Sequence, residues 1–115
     1  MKTQSFRHAD RVTKKSGYRT IYEQGARRNA QFFTVITCGN TLGRKRLGIT
    51  VTKKSGNAVK RNRIKRLIRE FFRLNRDLFP QNHDVVVMAR KNMPPLTYRD
   101  ICKELTKLFE REAGR

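Results

Sequence analysis

Residues Lys53–Arg73 read KKSGNAVKRNRIKRLIREFFR, and no other segment of the chain is as informative. Apolar side chains recur in it at positions i, i+3, i+4, i+7 and i+8, which are Ile64, Leu67, Ile68, Phe71 and Phe72. That period predicts a helix with one buried stripe. Nine of the 21 residues are Lys or Arg, and only Glu70 is acidic. The remaining faces of the helix therefore carry positive charge that the helix itself does not neutralise, which indicates a polyanionic partner.

The segments on either side of this helix are predicted strands. Arg46–Thr52 alternates between larger apolar residues and small or polar ones, the pattern of a strand with one buried face. Asp84–Ala89 contains a continuous apolar run, typical of a central strand that is buried on both faces. Ser55-Gly56-Asn57 ends the first strand and offers capping groups to the helix, which we expect to end near Asn75. If the two strands are parallel, the three elements form a strand-helix-strand unit.

The rest of the chain adds two helices and one strand. Ser16–Gln24 is a predicted helix with Ser16 as its N-cap and Gly25 just past its end. Gln31–Cys38 is β-branched and aromatic, which favours a strand. A last helix is predicted from Thr97, its N-cap, with Asp100 as the capping-box partner. The fold class is therefore α/β, an α+β sandwich with helices packed on a small central sheet in the order α-β-β-α-β-α.

Composition restricts the chain to one basic domain. Its 115 residues include 28 Lys or Arg and 9 Asp or Glu, which gives a net charge of +19. Charge of this size attracts nucleic acid phosphates. We expect a single RNA-binding domain over residues 1–115, with residues 1–12 as a loosely ordered basic arm. No stretch is apolar enough for a signal peptide or membrane span, and Cys38 and Cys102 suit neither a disulfide nor a zinc site, so we expect a cytoplasmic protein with no membrane partner. Nothing indicates a protein oligomer.

The basic helix and its surroundings resemble the bacterial ribonuclease P protein subunits. That family has an Arg-Asn-Arg helix preceded by a strand that ends in Ser/Thr-Lys-Lys, and this chain has Arg61-Asn62-Arg63 after Thr52-Lys53-Lys54. Further matches follow in family order and cover most of the chain. They are Tyr18-x-x-Ile21-Tyr22-x-x-Gly25, Phe32, RLGITVTKK at 46–54 and DVVVMAR at 84–90.

The resemblance implies a function that composition does not show. Members of the family assist an RNA catalyst in removing the 5′ leader from precursor tRNA, an endonucleolytic step in which Mg²⁺ at the RNA active site activates water. The partners would be the catalytic RNA subunit and the leader of precursor tRNA. The resemblance also implies a left-handed crossover at the basic helix, although most such units are right-handed. No catalytic or metal-binding residue is expected in this chain.

The candidate site residues fall into two groups. The resemblance implies that the basic helix lies against the catalytic RNA and that the leader occupies a cleft between the sheet and the first helix. The residues expected to bind the catalytic RNA are Lys53, Lys54, Lys60, Arg61, Asn62, Arg63 and Arg66. The residues expected to bind the leader are Tyr18, Tyr22, Phe33, Val35, Lys65, Arg69 and Arg90. Arginine suits phosphate through its planar guanidinium, and Tyr18 and Tyr22 share a helix face that could stack on unpaired bases.

Three alternatives accompany this hypothesis. Phe33 and Val35 share one face of their strand while Phe32 and Thr34 share the other, and the sequence does not decide which face meets the cleft. His83-Asp84 could be read as a catalytic base and its orienting group, but neighbours in an extended segment point to opposite faces. An equally basic ribosomal or other structural RNA-binding protein would have the same composition and no part in cleavage.

Overall fold

A four-stranded sheet forms the centre of the structure. The structure is a computed structural model, and it describes residues 11–12 and 15–113. In chain order the strands are β1 (Ala26–Asn29), β2 (Phe33–Gly39), β3 (Arg46–Thr50) and β4 (His83–Ala89). Their order across the sheet is β1-β2-β4-β3. The β1–β2 and β2–β4 pairs are antiparallel, whereas β3 runs parallel to β4.

Three helices accompany the sheet, and the longest joins the two parallel strands. They are α1 (Lys15–Gln24), α2 (Ala58–Leu74) and α3 (Tyr98–Ala113), with short 3₁₀ turns at Lys53–Ser55 and Arg76–Leu78. Since α2 connects β3 to β4, the predicted strand-helix-strand unit is confirmed. The left hand of this crossover stays a prediction. None of the helices in the described ranges is long and apolar enough to cross a membrane.

Both faces of the sheet are covered, which makes the fold a three-layer sandwich. On one face, sheet residues such as Val85 and Val87 belong to a large cluster with the apolar stripes of α2 and α3. On the other face, Ile21 of α1 packs with Ile36 and Val86 in a smaller cluster. Val12 joins this second cluster, and its backbone N–H donates to the carbonyl of Leu47 on the edge strand β3 at 3.0 Å. The rest of the arm predicted over 1–12 lies, apart from Arg11, outside the described residues.

Local capping chemistry fixes the starts of α2 and α3 as the sequence predicts. The side chain of Asn57 accepts from the backbone N–H of Lys60 at 2.9 Å and caps α2. Thr97 and Asp100 form a reciprocal capping box at the start of α3, with bonds of 2.9 and 3.2 Å. These bonds satisfy N–H groups that have no partner within their own helix.

The prediction is wrong at the start of the first helix and in the number of strands. The first helix begins at Lys15, so Ser16 lies inside it and is not its N-cap. The predicted order also lacks β1, whose sequence Ala-Arg-Arg-Asn has little intrinsic preference for a strand. This segment is extended because it pairs with β2, from Ala26 opposite Thr37 to Asn29 opposite Thr34. Pairing of this kind depends on the partner strand and cannot be read from four residues alone.

Candidate RNA interface

Helix α2 separates its apolar and basic side chains onto different faces. Ile64, Ile68 and the two phenylalanines Phe71 and Phe72 are buried against the sheet and α3. On the outward side Asn62, Lys65, Arg66, Arg69, Glu70 and Arg73 line a shallow groove of about 460 Å³. This groove brings together residues that the sequence assigns to both RNA partners.

The one carboxylate in this groove is neutralised locally. Arg73 donates from Nε to Oε1 of Glu70 at 3.1 Å and from Nη2 to Oε2 at 2.5 Å. The hydrogen bonds from Arg73 hold the pKa of Glu70 below its ordinary value, so the carboxylate stays ionised and paired. Lys65, Arg66 and Arg69 therefore give the groove a net positive charge that suits phosphates.

Two of the predicted RNA contacts also hold the protein together. Nζ of Lys60 donates to the carbonyl of Met93 at 2.7 Å, and Nη2 of Arg63 donates to the carbonyl of Leu96 at 3.3 Å. Both carbonyls belong to the loop between β4 and α3. Lys60 is half-buried, and its ammonium group is already hydrogen-bonded within the protein, whereas Arg63 is exposed. Arg61 is also half-buried, and its Nε has no partner among the described residues.

The two lysines before α2 lie in the 3₁₀ turn Lys53–Ser55, where both side chains are exposed. The turn is anchored through its backbone, because the carbonyl of Lys54 accepts from Asn92 at 2.8 Å and that of Ser55 accepts from Met93 at 3.2 Å. These hydrogen bonds fix the 3₁₀ turn next to the N-terminus of α2. A helix N-terminus presents partial positive charge to anions.

A small cavity of about 160 Å³ connects α1 to α2 across the edge of the sheet. Tyr18 lines it from α1, and Lys65 and Arg69 line it from α2. The rest of the lining comes from the arm and from β3, and consists of Arg11, Val12, Leu47 and Ile49. Tyr18 lies over Gly48, since a Cβ atom placed on that glycine would come within 2.8 Å of the phenol ring. Burial raises the pKa of Tyr18, so its hydroxyl stays protonated. The structure thus unites three residues that the sequence assigns to the leader.

Tyr22 continues this surface beyond Tyr18. The centroids of the two rings are 6.1 Å apart and their planes are tilted by 42°. Tyr22 is 37% exposed, and its hydroxyl lies 2.9 Å from Oγ1 of Thr50. An aromatic ring that is both accessible and held in place is suited to stacking on an unpaired base.

Phe33 and Val35 do not reach this surface, so their assignment to the leader cleft is wrong. They are 0% and 2% exposed and belong to the core beneath α2 and α3. Their alternation along β2 is as predicted, but the face that turns toward α1 is the opposite one, which carries Thr34 and Ile36. The sequence could not decide between the faces because both are covered in the folded protein.

Sequence reasoning missed the polar residues on the α1 side of the sheet. Thr34 lies opposite both Asn29 and Met88, and Met88 lies opposite Thr50. The hydroxyl of Thr34 donates to Oδ1 of Asn29 at 2.8 Å. Together with Tyr22 these residues extend the surface from the end of α1 across the sheet. The available signal was the alternation of Phe33 and Val35, which leaves Thr34 on the opposite face.

Arg90 and the His83-Asp84 pair lie apart from the Tyr18 cavity. Arg90 is exposed at the end of β4, and one of its Nη atoms donates to the carbonyl of Ala30 at 3.1 Å. Nδ1 of His83 lies 2.8 Å from the carbonyl of Gln81, while Asp84 accepts from Arg46 and Asn40. His83 and Asp84 therefore do not form a base and its orienting group.

Comparisons with known proteins identify relatives over nearly the whole chain. A family model described as Ribonuclease P matches residues 6–113. A ribonuclease P protein component from Syntrophus aciditrophicus is 48% identical over 112 residues, which cover 97% of this chain and 94% of that protein. One from Desulforapulum autotrophicum is 39% identical and covers 96% of this chain and 95% of its own length.

Solved structures show the same fold. The RNase P protein of Staphylococcus aureus superposes with a TM-score of 0.81 at 36% identity, covering 90% of this chain and 94% of that one. The RNase P protein of Thermotoga maritima superposes with a TM-score of 0.79 at 30% identity, covering 88% of this chain and 96% of that one.

Proposed function

Because this chain belongs to the ribonuclease P protein family, we propose that it binds the RNA subunit of ribonuclease P through α2 and the 5′ leader of precursor tRNA through the groove beside α1. In this proposal the RNA carries out the hydrolysis and the protein supplies cations and a binding surface. The family match over residues 6–113 also separates the chain from the alternative of a basic ribosomal protein.

The observation that carries the leader assignment is the cavity shared by Tyr18, Lys65 and Arg69. It places an aromatic ring beside two cations from another helix. A single RNA strand needs both elements, since its bases stack on aromatic rings while its phosphates pair with Lys and Arg. A duplex offers no unstacked base for such a ring, so this groove favours a single-stranded segment such as a leader.

The catalytic RNA is assigned to the outward side of α2 and the preceding turn. This part of the protein is folded and capped, and five of the candidate residues are exposed on it: Lys53, Lys54, Asn62, Arg63 and Arg66. Rigid placement reduces the entropy lost when the charges meet a structured RNA. Lys60 and Arg61 are half-buried. In this proposal they lie beneath the exposed residues and add positive charge at the edge of the surface.

Magnesium belongs to the RNA in this proposal. Among the described residues no three His, Cys, Asp or Glu side chains come together in a way that could hold a metal ion. When bound to the RNA, magnesium would activate the attacking water. The protein acts on this step indirectly, because its positive charge reduces repulsion between the two RNAs and so lowers the concentration of cations that they need to associate.

Single-turnover cleavage of precursor tRNA by the RNA subunit tests the proposal. The RNA alone should need high salt and high magnesium, and adding the chain should relieve this requirement and tighten binding of leader-bearing substrate. A double Lys65→Ala, Arg69→Ala variant should lose the effect on the leader while still binding the RNA subunit. The proposal fails if the chain changes neither substrate affinity nor the cation requirement.

A further inference from the structure

A further cavity lies away from both surfaces assigned above. It has a volume of about 730 Å³ and opens between the turn joining β1 to β2 and the outward side of α3. The turn contributes Ala30, Gln31 and Phe32, and the α3 side contributes Leu96, Asp100, Lys103, Glu104, Lys107 and Leu108. None of these residues lines the α2 groove or the Tyr18 cavity. Its volume is in the range of small-molecule binding sites.

A carboxylate with one unused oxygen distinguishes this cavity. Oε1 of Glu104 accepts from the backbone N–H of Phe32 at 2.7 Å, which fixes the carboxylate against the turn. Oε2 is buried and has no hydrogen-bond partner within the described part of the chain. A buried acceptor without a partner is costly, and a ligand that donates an N–H to Oε2 would satisfy it. Because Oε2 has almost no accessible surface, such a ligand reaches it only as the side chains around it shift.

The remaining lining supplies an apolar wall and two cations. Phe32 and Leu96 are half-buried, and they offer apolar surface together with Leu108. Lys103 and Lys107 are both exposed and lie one helical turn apart on the same side of α3. The other carboxylate, that of Asp100, is already engaged in the helix cap. The two ammonium groups are therefore placed to receive an anion at the mouth of the cavity.

We propose that this cavity binds a nucleotide, with the base against Phe32, an exocyclic amino group of the base donating to Oε2 of Glu104, and the phosphate on Lys103 and Lys107. Cytosine, adenine and guanine carry such an amino group, and uracil presents a carbonyl oxygen in its place. The site therefore discriminates against uracil. The nucleotide is either free or part of a single-stranded RNA, and both present the same base and phosphate.

The pair CMP and UMP tests the donor directly, because the two differ mainly in an amino group or an oxygen at the same ring position. Backbone amide resonances of the full-length chain would be followed by NMR during titration with each. We expect CMP to shift the amides of Phe32, Lys103, Glu104 and Lys107 and to bind about ten-fold more tightly than UMP, the difference expected for one charge-assisted hydrogen bond.

Replacing Glu104→Gln should reverse this preference. The glutamine oxygen can keep the bond from Phe32, while its amide nitrogen replaces Oε2 and donates to the uracil oxygen instead of accepting from cytosine. Glu23→Gln, an exposed site on α1, makes the same chemical change outside the cavity and should leave both affinities unchanged. A purely structural Glu104 would not exchange one base preference for the other.

Removing the cations provides a second variant that does not disturb the turn. Lys103→Ala combined with Lys107→Ala should weaken CMP and UMP alike while leaving the nucleoside cytidine unaffected. The proposal is overturned if CMP and UMP shift the cavity amides equally in the parent chain, or if they shift only amides of α1 and α2. The readout uses the protein without its RNA, so its result is independent of the leader-binding proposal.

Lysine acetylation in the assembled ribonucleoprotein identifies the source of the nucleotide. Protection of Lys103 and Lys107 by the RNA subunit alone would assign the site to that RNA, and protection only after adding leader-bearing precursor would assign it to the leader. Protection by CMP but by neither RNA would assign it to the free nucleotide. Absence of protection in all three conditions would contradict the proposal.

Discussion

The hydroxyl of Tyr22 lies 2.9 Å from Oγ1 of Thr50 and joins the end of α1 to the edge strand β3 across 28 positions of sequence. This bond crosses the α1 side of the sheet next to the half-exposed Met88, which lies opposite Thr50. It holds an accessible aromatic ring in one place without burying it. The position of Tyr22 therefore depends on β3 as well as on α1, and this dependence supports its proposed role in binding the leader.

Replacing Tyr22→Leu should weaken binding of leader-bearing precursor tRNA while leaving mature tRNA unaffected. Loss of one aromatic stacking partner costs about 1–3 kcal/mol, which corresponds to roughly 5- to 150-fold in affinity. The measurement is the dissociation constant of the holoenzyme for precursor tRNA with and without its leader.

Tyr22→Phe is the matched control for this change. It keeps the ring and removes only the hydroxyl that contacts Thr50, so we expect a smaller loss, in the range of one exposed hydrogen bond. An equal loss for leader-bearing and mature tRNA would show that Tyr22 acts through the stability of the fold.

Replacing Arg69→Ala should reduce the salt dependence of leader binding. Each phosphate contact with a single strand contributes about 0.7 to the slope of log affinity against log salt concentration, because contact releases a bound counterion. The measurement is the affinity for leader-bearing precursor at several salt concentrations. Arg99→Ala provides a control on the exposed side of α3 and should leave the slope unchanged. An unchanged slope for Arg69→Ala would place its guanidinium outside the RNA interface.

Replacing Lys60→Met should destabilise the free protein more than the same change at Arg66. Nζ of Lys60 donates to the partly buried carbonyl of Met93, so its loss should cost about 1–2 kcal/mol of unfolding free energy. Arg66 is exposed, and Arg66→Met should stay within about 0.5 kcal/mol. Urea unfolding of the chain without RNA measures both. Equal stabilities would mean that the Lys60 bond adds nothing to the fold.

The parts of the fold that the sequence predicts are those decided by local chemistry. The cap of Asn57 on α2 and the capping box of Thr97 and Asp100 depend on residues three positions apart, and the structure contains both. The apolar period of α2 likewise predicts its buried stripe. Each of these features is complete within one turn or one helix.

The parts that the sequence leaves open depend on which elements meet. Strand β1 is extended only because β2 pairs with it, and the burial of Phe33 and Val35 depends on which face of β2 receives α2 and α3. The cavity at Phe32 is not visible in the sequence pattern either, since the hydrogen bond between its two walls joins Phe32 to Glu104, 72 positions away. Such long-range choices leave no periodic signal in a short segment.

Replacing Asp84→Asn should lower stability at neutral pH by roughly 1–3 kcal/mol. The carboxylate of Asp84 accepts from Nε and Nη2 of Arg46, each at 2.8 Å, and from Asn40 at 2.8 Å. Burial alone would raise the pKa of Asp84, but the hydrogen bonds from Arg46 and Asn40 outweigh it and hold the pKa below its ordinary value of 3.8. Urea unfolding at pH 7 measures the loss.

The same pair predicts how stability depends on pH. Since the pKa of Asp84 is lower in the folded than in the unfolded protein, its contribution is fully present above about pH 4 and is lost as the pH falls through the folded value. The difference in unfolding free energy between the parent chain and Asp84→Asn should therefore shrink below about pH 4. A difference that stays constant on acidification would show that ionisation of Asp84 does not stabilise the fold.

Replacing Gly48→Ala should impair leader binding through Tyr18. A Cβ atom at this position would lie 2.8 Å from both Cε1 and the hydroxyl of Tyr18, closer than ordinary contact allows. The ring can swing away at a cost of about 1 kcal/mol in stability, the low end for overpacking, but it then leaves the cavity that it shares with Lys65 and Arg69. The affinity for leader-bearing precursor should therefore fall more than the small loss of stability explains.

A double-mutant cycle attributes this loss to Tyr18. Gly39→Ala is the control, because a Cβ atom there would meet only His83, at 4.0 Å. In a Tyr18→Leu background the ring is already absent, so adding Gly48→Ala should change leader affinity little, and the two changes should be strongly non-additive. If Gly48→Ala weakened leader binding equally in both backgrounds, the glycine would act through β3 itself and the placement of Tyr18 would not be the cause.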